Sequence, residues 1–214
     1  MPNALRRQDR ARSDSDKEAR RRTIVSTALR VFGSHAYADV TMSTIAREAG
    51  LAKGTLYLYF HGKEELFLHV LEEHLAGWLE DVTRRLHAAS PRSPEQAAHA
   101  LLAPLEAHGG LLRLLGLLAT ALEHNADPQA TRAFQRRLNE RLRAPGTALE
   151  AALPGLEADR GAQVLWDAVA LMIGRGLLAG LPGDPASSPR TFQEALEAPL
   201  SALLRGMLTA QRRP

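Results

Sequence analysis

The sequence predicts an all-α protein, and three observations carry that prediction. Leu and Ala recur at helical spacing through most of the 214 residues, no stretch alternates apolar and polar residues as a half-buried strand would, and proline and glycine cluster at the breaks between periodic segments. A hydrophobic content of 45% allows a sizeable core, arranged as one large domain or as a small one joined to a medium one. The absence of cysteine excludes disulfides, thiolate metal sites and cysteine nucleophiles. No internal repeat is visible.

Residues 1–15 lack apolar periodicity and are expected to form a disordered basic tail. The first 22 residues are polar and arginine-rich without an apolar segment, so no secretory signal is expected. A helix should follow, with Ile24, Val25, Ala28, Leu29 and Phe32 along one face. The run TMSTIAREAGLAKGTLYLYFHGKEEL, Thr41 to Leu66, then reads as two short helices joined by a tight turn, with a third helix directly after. Thr41 is a suitable N-cap, and Ile45, Ala46 and Ala49 give the first helix its apolar face. Gly50 supplies the permissive backbone that ends this helix, and Leu51 folds back into the core. Leu56 and Phe60 face inward from the second helix, leaving Lys53, Thr55, Leu58 and Tyr59 toward its outer side. This is the pattern of a helix-turn-helix DNA reader, expected over residues 16–62.

The side-chain chemistry of this segment agrees. Thr41, Ser43, Thr44, Thr55, Tyr57 and Tyr59 offer hydroxyls, and Lys53 and Lys63 offer ammonium groups, all able to donate to phosphate oxygens, while two helix N-termini add partial positive charge. Residues 1–63 hold 12 Lys and Arg against 6 Asp and Glu, whereas the remaining 151 hold 15 against 18. The basic excess is therefore confined to the end that carries the motif. Arg6, Arg7, Arg10 and Arg12 offer charge either for entry into a minor groove or simply for non-specific affinity through counterion release.

Residues 18–68 resemble the N-terminal domain of the TetR family of bacterial transcriptional regulators, through RTIVSTALRVFGSHAYADVTMSTIAREAG and LAKGTLYLYFHGKEELF. The resemblance implies a three-helix DNA-binding domain, a larger helical effector-binding and dimerisation domain behind it, and repression relieved by a small molecule. Carried over by position, it implies that Lys53, Gly54, Thr55, Tyr57 and Tyr59 meet bases or backbone and that Thr41 and Lys63 hold phosphates. Met42 stands where the family commonly has a small hydroxyl residue, and Gly62 replaces the usual serine before Lys63.

Beyond residue 62 the chain reads as helices throughout. A long helix from Lys63 to Ala88 should present Leu66, Val70, Leu71, Leu75, Trp78, Val82 and Leu86 inward, with Ser90, Pro91, Ser93 and Pro94 ending it and starting the next. Further helices are expected over 94–107, 110–124, 128–152, 157–180 and 190–211, with Pro104, Pro145 and Pro199 kinking or splitting them. The stretch from Val164 to Leu181 is interrupted by Asp167 and Arg175 and falls short of the roughly 20 clean residues of a membrane span. A soluble, cytoplasmic protein is expected.

His74, Trp78, His108, His124, Phe134 and Trp166 are the aromatic or polar-capable residues able to line an effector pocket among these helices. The leucines between Leu101 and Leu118 make the surroundings apolar and favour a hydrophobic effector. Apolar residues run almost all round the 162–181 helix, and the last helix adds a leucine-rich face, so both want burial that one chain's surface does not provide. Ile173, Leu177, Leu196, Leu200, Leu203 and Met207 are the expected homodimer contacts, which the resemblance implies form a four-helix bundle. Two symmetric subunits would read a palindrome in double-stranded DNA with half-sites about 34–36 Å apart. No catalytic residue, cofactor or metal is expected: His69 and His74 stand five positions apart, well apart around a helix, and no HExxH, P-loop, dinucleotide-binding turn or GxSxG is present. The alternative reading is a partner-binding or enzymatic C-terminal domain that the DNA motif merely localises.

Overall fold

A computed structural model describes the backbone of residues 2–118, 127–178 and 189–209, and the side chains of 15–118, 127–177 and 192–208. His124, the ends of the helices expected over 110–124, 157–180 and 190–211, and the side chains of Arg6, Arg7, Arg10 and Arg12 lie outside the described residues. The described elements are all helical. They are α1 (Pro2–Ser34), a 3-10 turn (Tyr37–Asp39), α2 (Met42–Glu48), α3 (Lys53–Tyr57), α4 (Lys63–Ala89), α5 (Pro94–Leu102), a second 3-10 turn (Ala103–Glu106), α6 (Gly109–Leu117), α7 (Pro128–Ala152), α8 (Gly161–Leu178) and α9 (Pro189–Thr209).

The chain divides into two compact units, residues 1–70 and 71–214. The expected boundary at 62/63 is thus displaced into α4. Phe67 explains the displacement: its ring meets Phe32 and Tyr37 edge-on at 5.4 and 5.0 Å, so the first two turns of α4 complete the N-terminal core. In that core Ile24, Val25, Ala28 and Phe32 are buried as expected, Leu29 is half-buried, and Val31 takes up the rest of the face. Helix α1 begins at Pro2. Proline is tolerated at a first helical position, and the Ala, Leu, Arg and Gln that follow are strong helix formers.

In the second unit α4 buries Leu71, Leu75, Trp78, Val82 and Leu86. Ser90, at φ 41, closes the helix in the left-handed region. Ser93 then caps α5 by accepting from the Gln96 amide, while the Gln96 side chain accepts from the Arg92 amide at 2.9 Å. Pro104 ends α5 in a 3-10 turn, as a residue without an N–H should. Pro145 and Pro199, by contrast, neither split nor end α7 and α9. Pro145 is buried and adjoins Gly146, where a Cβ would stand 2.5 Å from the Ala162 nitrogen, so the α7 and α8 backbones touch. Tertiary packing holds a helix there that propensity alone would break. Helix α9 packs on α5 and on α8, and α6 packs on α8.

Candidate nucleic-acid interface and effector region

The Thr41 side chain accepts from the Thr44 amide at 3.1 Å and lies 3.0 Å from the Thr44 hydroxyl, which fixes the start of α2. Its end is a Schellman turn: Leu51 N donates to Ala46 O and Gly50 N to Arg47 O, with Gly50 at φ +68. These bonds set α3 against α2 without a long loop. Leu56 and Phe60 are fully buried, so the opposite side of α3 is turned outward. On that side Lys53, Gly54, Tyr57 and Leu58 are exposed, and Thr55 and Tyr59 are half-buried. The Lys53 ammonium lies 6.0 Å from the centre of the Tyr57 ring. Ser43 is exposed at the start of α2. Met42 is buried in the core, so the departure from the expected small hydroxyl residue adds packing.

Lys63 is held more firmly than a surface lysine. Its ammonium donates to Tyr37 O at 3.0 Å and sits 4.0 Å above the Tyr37 ring. The Tyr37 hydroxyl donates to Glu64 at 3.3 Å; burial first, and the Glu64 charge second, push its pKa well above the ordinary value, so it stays a phenol. Sequence reasoning missed Tyr37 because it lies 26 residues before Lys63, and only its place just ahead of the motif could have suggested it. Arg21 contributes a further cation: it lies 4.7 Å over the Phe60 ring and 2.6 Å from His69 Nε2.

Residues 24–70 match the family model for bacterial regulatory proteins of the tetR family, and residues 72–179, half of the chain, match the model described as tetracyclin repressor-like, C-terminal domain. The chain belongs to the TetR family. Within that family it is similar to the HTH-type transcriptional regulator SrpR of Pseudomonas putida, 31% identical over 134 residues, covering 60% of this chain and 62% of SrpR. It also matches the HTH-type transcriptional regulator BetI of Agrobacterium fabrum, 39% identical over 74 residues, which are 34% of this chain and 36% of BetI. The fatty acid metabolism regulator protein of Bacillus subtilis is 35% identical over 57 residues, 27% of this chain and 29% of that protein. The chain thus spans 29–62% of the length of these curated relatives. Among solved structures it is similar to Thermus thermophilus FadR, a TetR-family transcriptional repressor in complex with lauroyl-CoA. The TM-score is 0.62 at 27% identity, over 87% of this chain and 94% of that one.

The second unit of this TetR-family chain disperses the expected effector residues. Trp78 is fully buried, and its indole N–H donates to Leu101 O at 3.1 Å, so it is a satisfied core residue. Phe134 is likewise buried. Trp166 lies half-buried and donates to Asn139 Oδ1 at 2.7 Å. His74 and His108 do come together. His108 covers Gly77, where a Cβ would stand 3.2 Å from its ring, and its Nε2 is 3.0 Å from Asp81. Burial, and after it the neighbouring His108, lower the His74 pKa below its ordinary 6.5. The hydrogen bond from His108 holds Asp81 below the usual carboxylate range. Two described cavities, of about 670 and 590 Å³, are lined by other residues: one includes Arg85, Pro91 and His99, the other Leu79, Arg84, Arg141 and Pro145. No group of three or more metal-ligating side chains occurs among the described residues.

The expected dimer contacts divide into two sets. Leu196 and Leu200 are buried within the chain, where α9 packs on α5 and Gln193 donates to Leu102 O at 2.9 Å. This corrects their assignment to a surface between subunits. Leu203, Met207 and Ile173 are half-buried, and Leu177 is 44% exposed. With the exposed Ala170 and Ala202, they leave apolar stripes on α8 and α9. No single described helix is long and apolar enough to cross a membrane.

Proposed function

We propose that this protein is a sequence-specific DNA-binding transcriptional regulator, a repressor that leaves a palindromic operator when a small hydrophobic effector binds. The observation that carries this reading is the outer side of α3. Lys53, Gly54 and Tyr57 are exposed there with the half-buried Thr55 beside them, on a helix oriented by the capped α2 and its Schellman turn. Such a helix fits a major groove, and Thr41, Ser43, Thr44, Tyr59 and Lys63 are the residues we assign to phosphate or backbone contacts around it. One recognition helix meets too few bases for specificity, so the active species is a homodimer. The apolar stripes of α8 and α9, through Ile173, Leu177, Leu203 and Met207, support that assembly.

Helix α4 begins at Lys63 and continues into the second unit, so an effector held there acts through it on the separation of the two recognition helices. A coupling of about 1–3 kcal/mol weakens operator binding about 5- to 150-fold. His74 and His108, which come together in the second unit, are the polar groups we assign to such an effector. The lauroyl-CoA in Thermus thermophilus FadR and the name of the Bacillus subtilis relative favour an acyl compound as the first to be tried. Selection of sites from random duplex DNA with the purified chain tests the DNA reading: a twofold-symmetric consensus is expected, and no enrichment would overturn it. A fatty acyl and acyl-CoA series, scored for release of the selected duplex, tests the effector.

A further inference from the structure

Leu58 is 83% exposed, against 43% for Tyr57 and 44% for Leu177, the other exposed large hydrophobic side chains among the described residues. Its backbone is fixed, because it forms the C-cap of α3 in the helical region and its amide donates to Thr55 O at 3.2 Å. Helical spacing places it on the side of α3 away from Leu56, which is fully buried, so no rotation of α3 can bury Leu58 without expelling Leu56. The same spacing puts it one turn beyond Gly54 and Thr55. A Cβ at Gly54 would meet nothing within 4 Å, so the approach to Leu58 over that turn is open.

We infer that Leu58 reads a thymine in the operator through its C5-methyl group. The inference rests on the DNA reading above and adds a specificity residue of a different chemical kind. Lys53, Thr55 and the tyrosines can exchange hydrogen bonds with bases or phosphates; Leu58 can exchange none. On the base edges of a major groove the C5-methyl of thymine is the apolar feature, and an aliphatic side chain reads it by excluding water from both. Burying one methyl is worth about a factor of 4 in affinity at 25 °C, hence about 15-fold for the two half-sites of a palindrome.

The test removes the methyl from each side in turn. The selected operator is rebuilt with each symmetric thymine pair replaced by deoxyuridine, which deletes only the C5-methyl, and binding of the full-length protein is followed by fluorescence anisotropy at fixed salt. One pair should cost the natural protein about 15-fold and leave Leu58→Ala unaffected, while Leu58→Ala on the unmodified operator shows that same loss. Leu58→Asn, of similar size but polar, should lose as much as Leu58→Ala. The exposure of the site leaves folding of either variant intact, which circular dichroism verifies. If a consensus is found but no methyl deletion depends on residue 58, the inference fails and the regulator reading stands. If no sequence is enriched, both fall.

Discussion

Replacing Gly54 with alanine should move stability and DNA affinity in opposite directions. Gly54 is the second residue of α3, and its φ is not among the positive values, so alanine fits its backbone. Its added Cβ meets nothing within 4 Å inside the protein. Glycine therefore has no internal reason to stand here, and in a helix it is less stable than alanine by about 0.5–1 kcal/mol. A position in the first turn of a five-residue helix should realise the lower end, which raises Tm by about 1–2 °C for a chain of this size. On DNA the same methyl stands between the exposed face of α3 and the duplex. An imperfect fit costs about 1–3 kcal/mol per half-site, so a palindrome should be bound at least about 30-fold more weakly. Thermal unfolding by circular dichroism and anisotropy on the selected operator give the two numbers. Unchanged affinity beside the raised Tm would remove Gly54 from the interface; a fall in Tm would show that the glycine has a structural role after all.

Lys63→Ala should weaken binding to all sequences alike and lower the salt slope by about 1 per subunit, because a phosphate contact carries no base information; an unchanged slope would mean that Tyr37 keeps the ammonium to itself. Leu203→Glu should give a folded monomer on sedimentation, whereas Leu200→Glu, at a buried position, should unfold the chain; a dimeric Leu203→Glu would move the interface elsewhere. His74 has a lowered folded pKa, so the unfolded chain takes up a proton that the folded chain resists. Its contribution to stability is intact above about pH 6.5 and is lost as pH falls toward the folded value. Urea midpoints at pH 7.5 and 5.5 should therefore differ less in His74→Gln than in the natural protein, and an equal difference would refute that assignment.

The N-terminal unit was legible because its determinants are local. Thr41 caps a helix that starts at the next residue, Gly50 ends it, and Leu56 and Phe60 differ by one turn, so residue type and spacing suffice. The hold of Tyr37 on Lys63 was not, since it joins residues far apart in sequence. In α9 periodicity marked an apolar face without telling which part of it faces α5. Leu196 and Leu200 are buried within the chain, while Leu203 and Met207 stay half-open. Trp78 shows the same limit: an aromatic residue suited to a pocket is equally suited to a core, and the partner that decides, Leu101 O, belongs to the next helix. Proline ends a helix at position 104 but does not split one at 145 or 199, because a helix break depends on what the neighbouring elements hold in place.

The contact between Gly146 and Gly161 limits how the second unit can move. Packed helices slide past one another by exchanging side-chain rotamers along their shared surface. At this crossing no side chain lies between the α7 and α8 backbones, and the Gly161 amide is bonded to Glu150 of α7 at 2.7 Å. Sliding there would break that bond and press backbone on backbone, so this crossing is where α7 and α8 are held together most tightly. A displacement of α7 at this crossing is thereby handed directly to the start of α8, with no side chain between to absorb it.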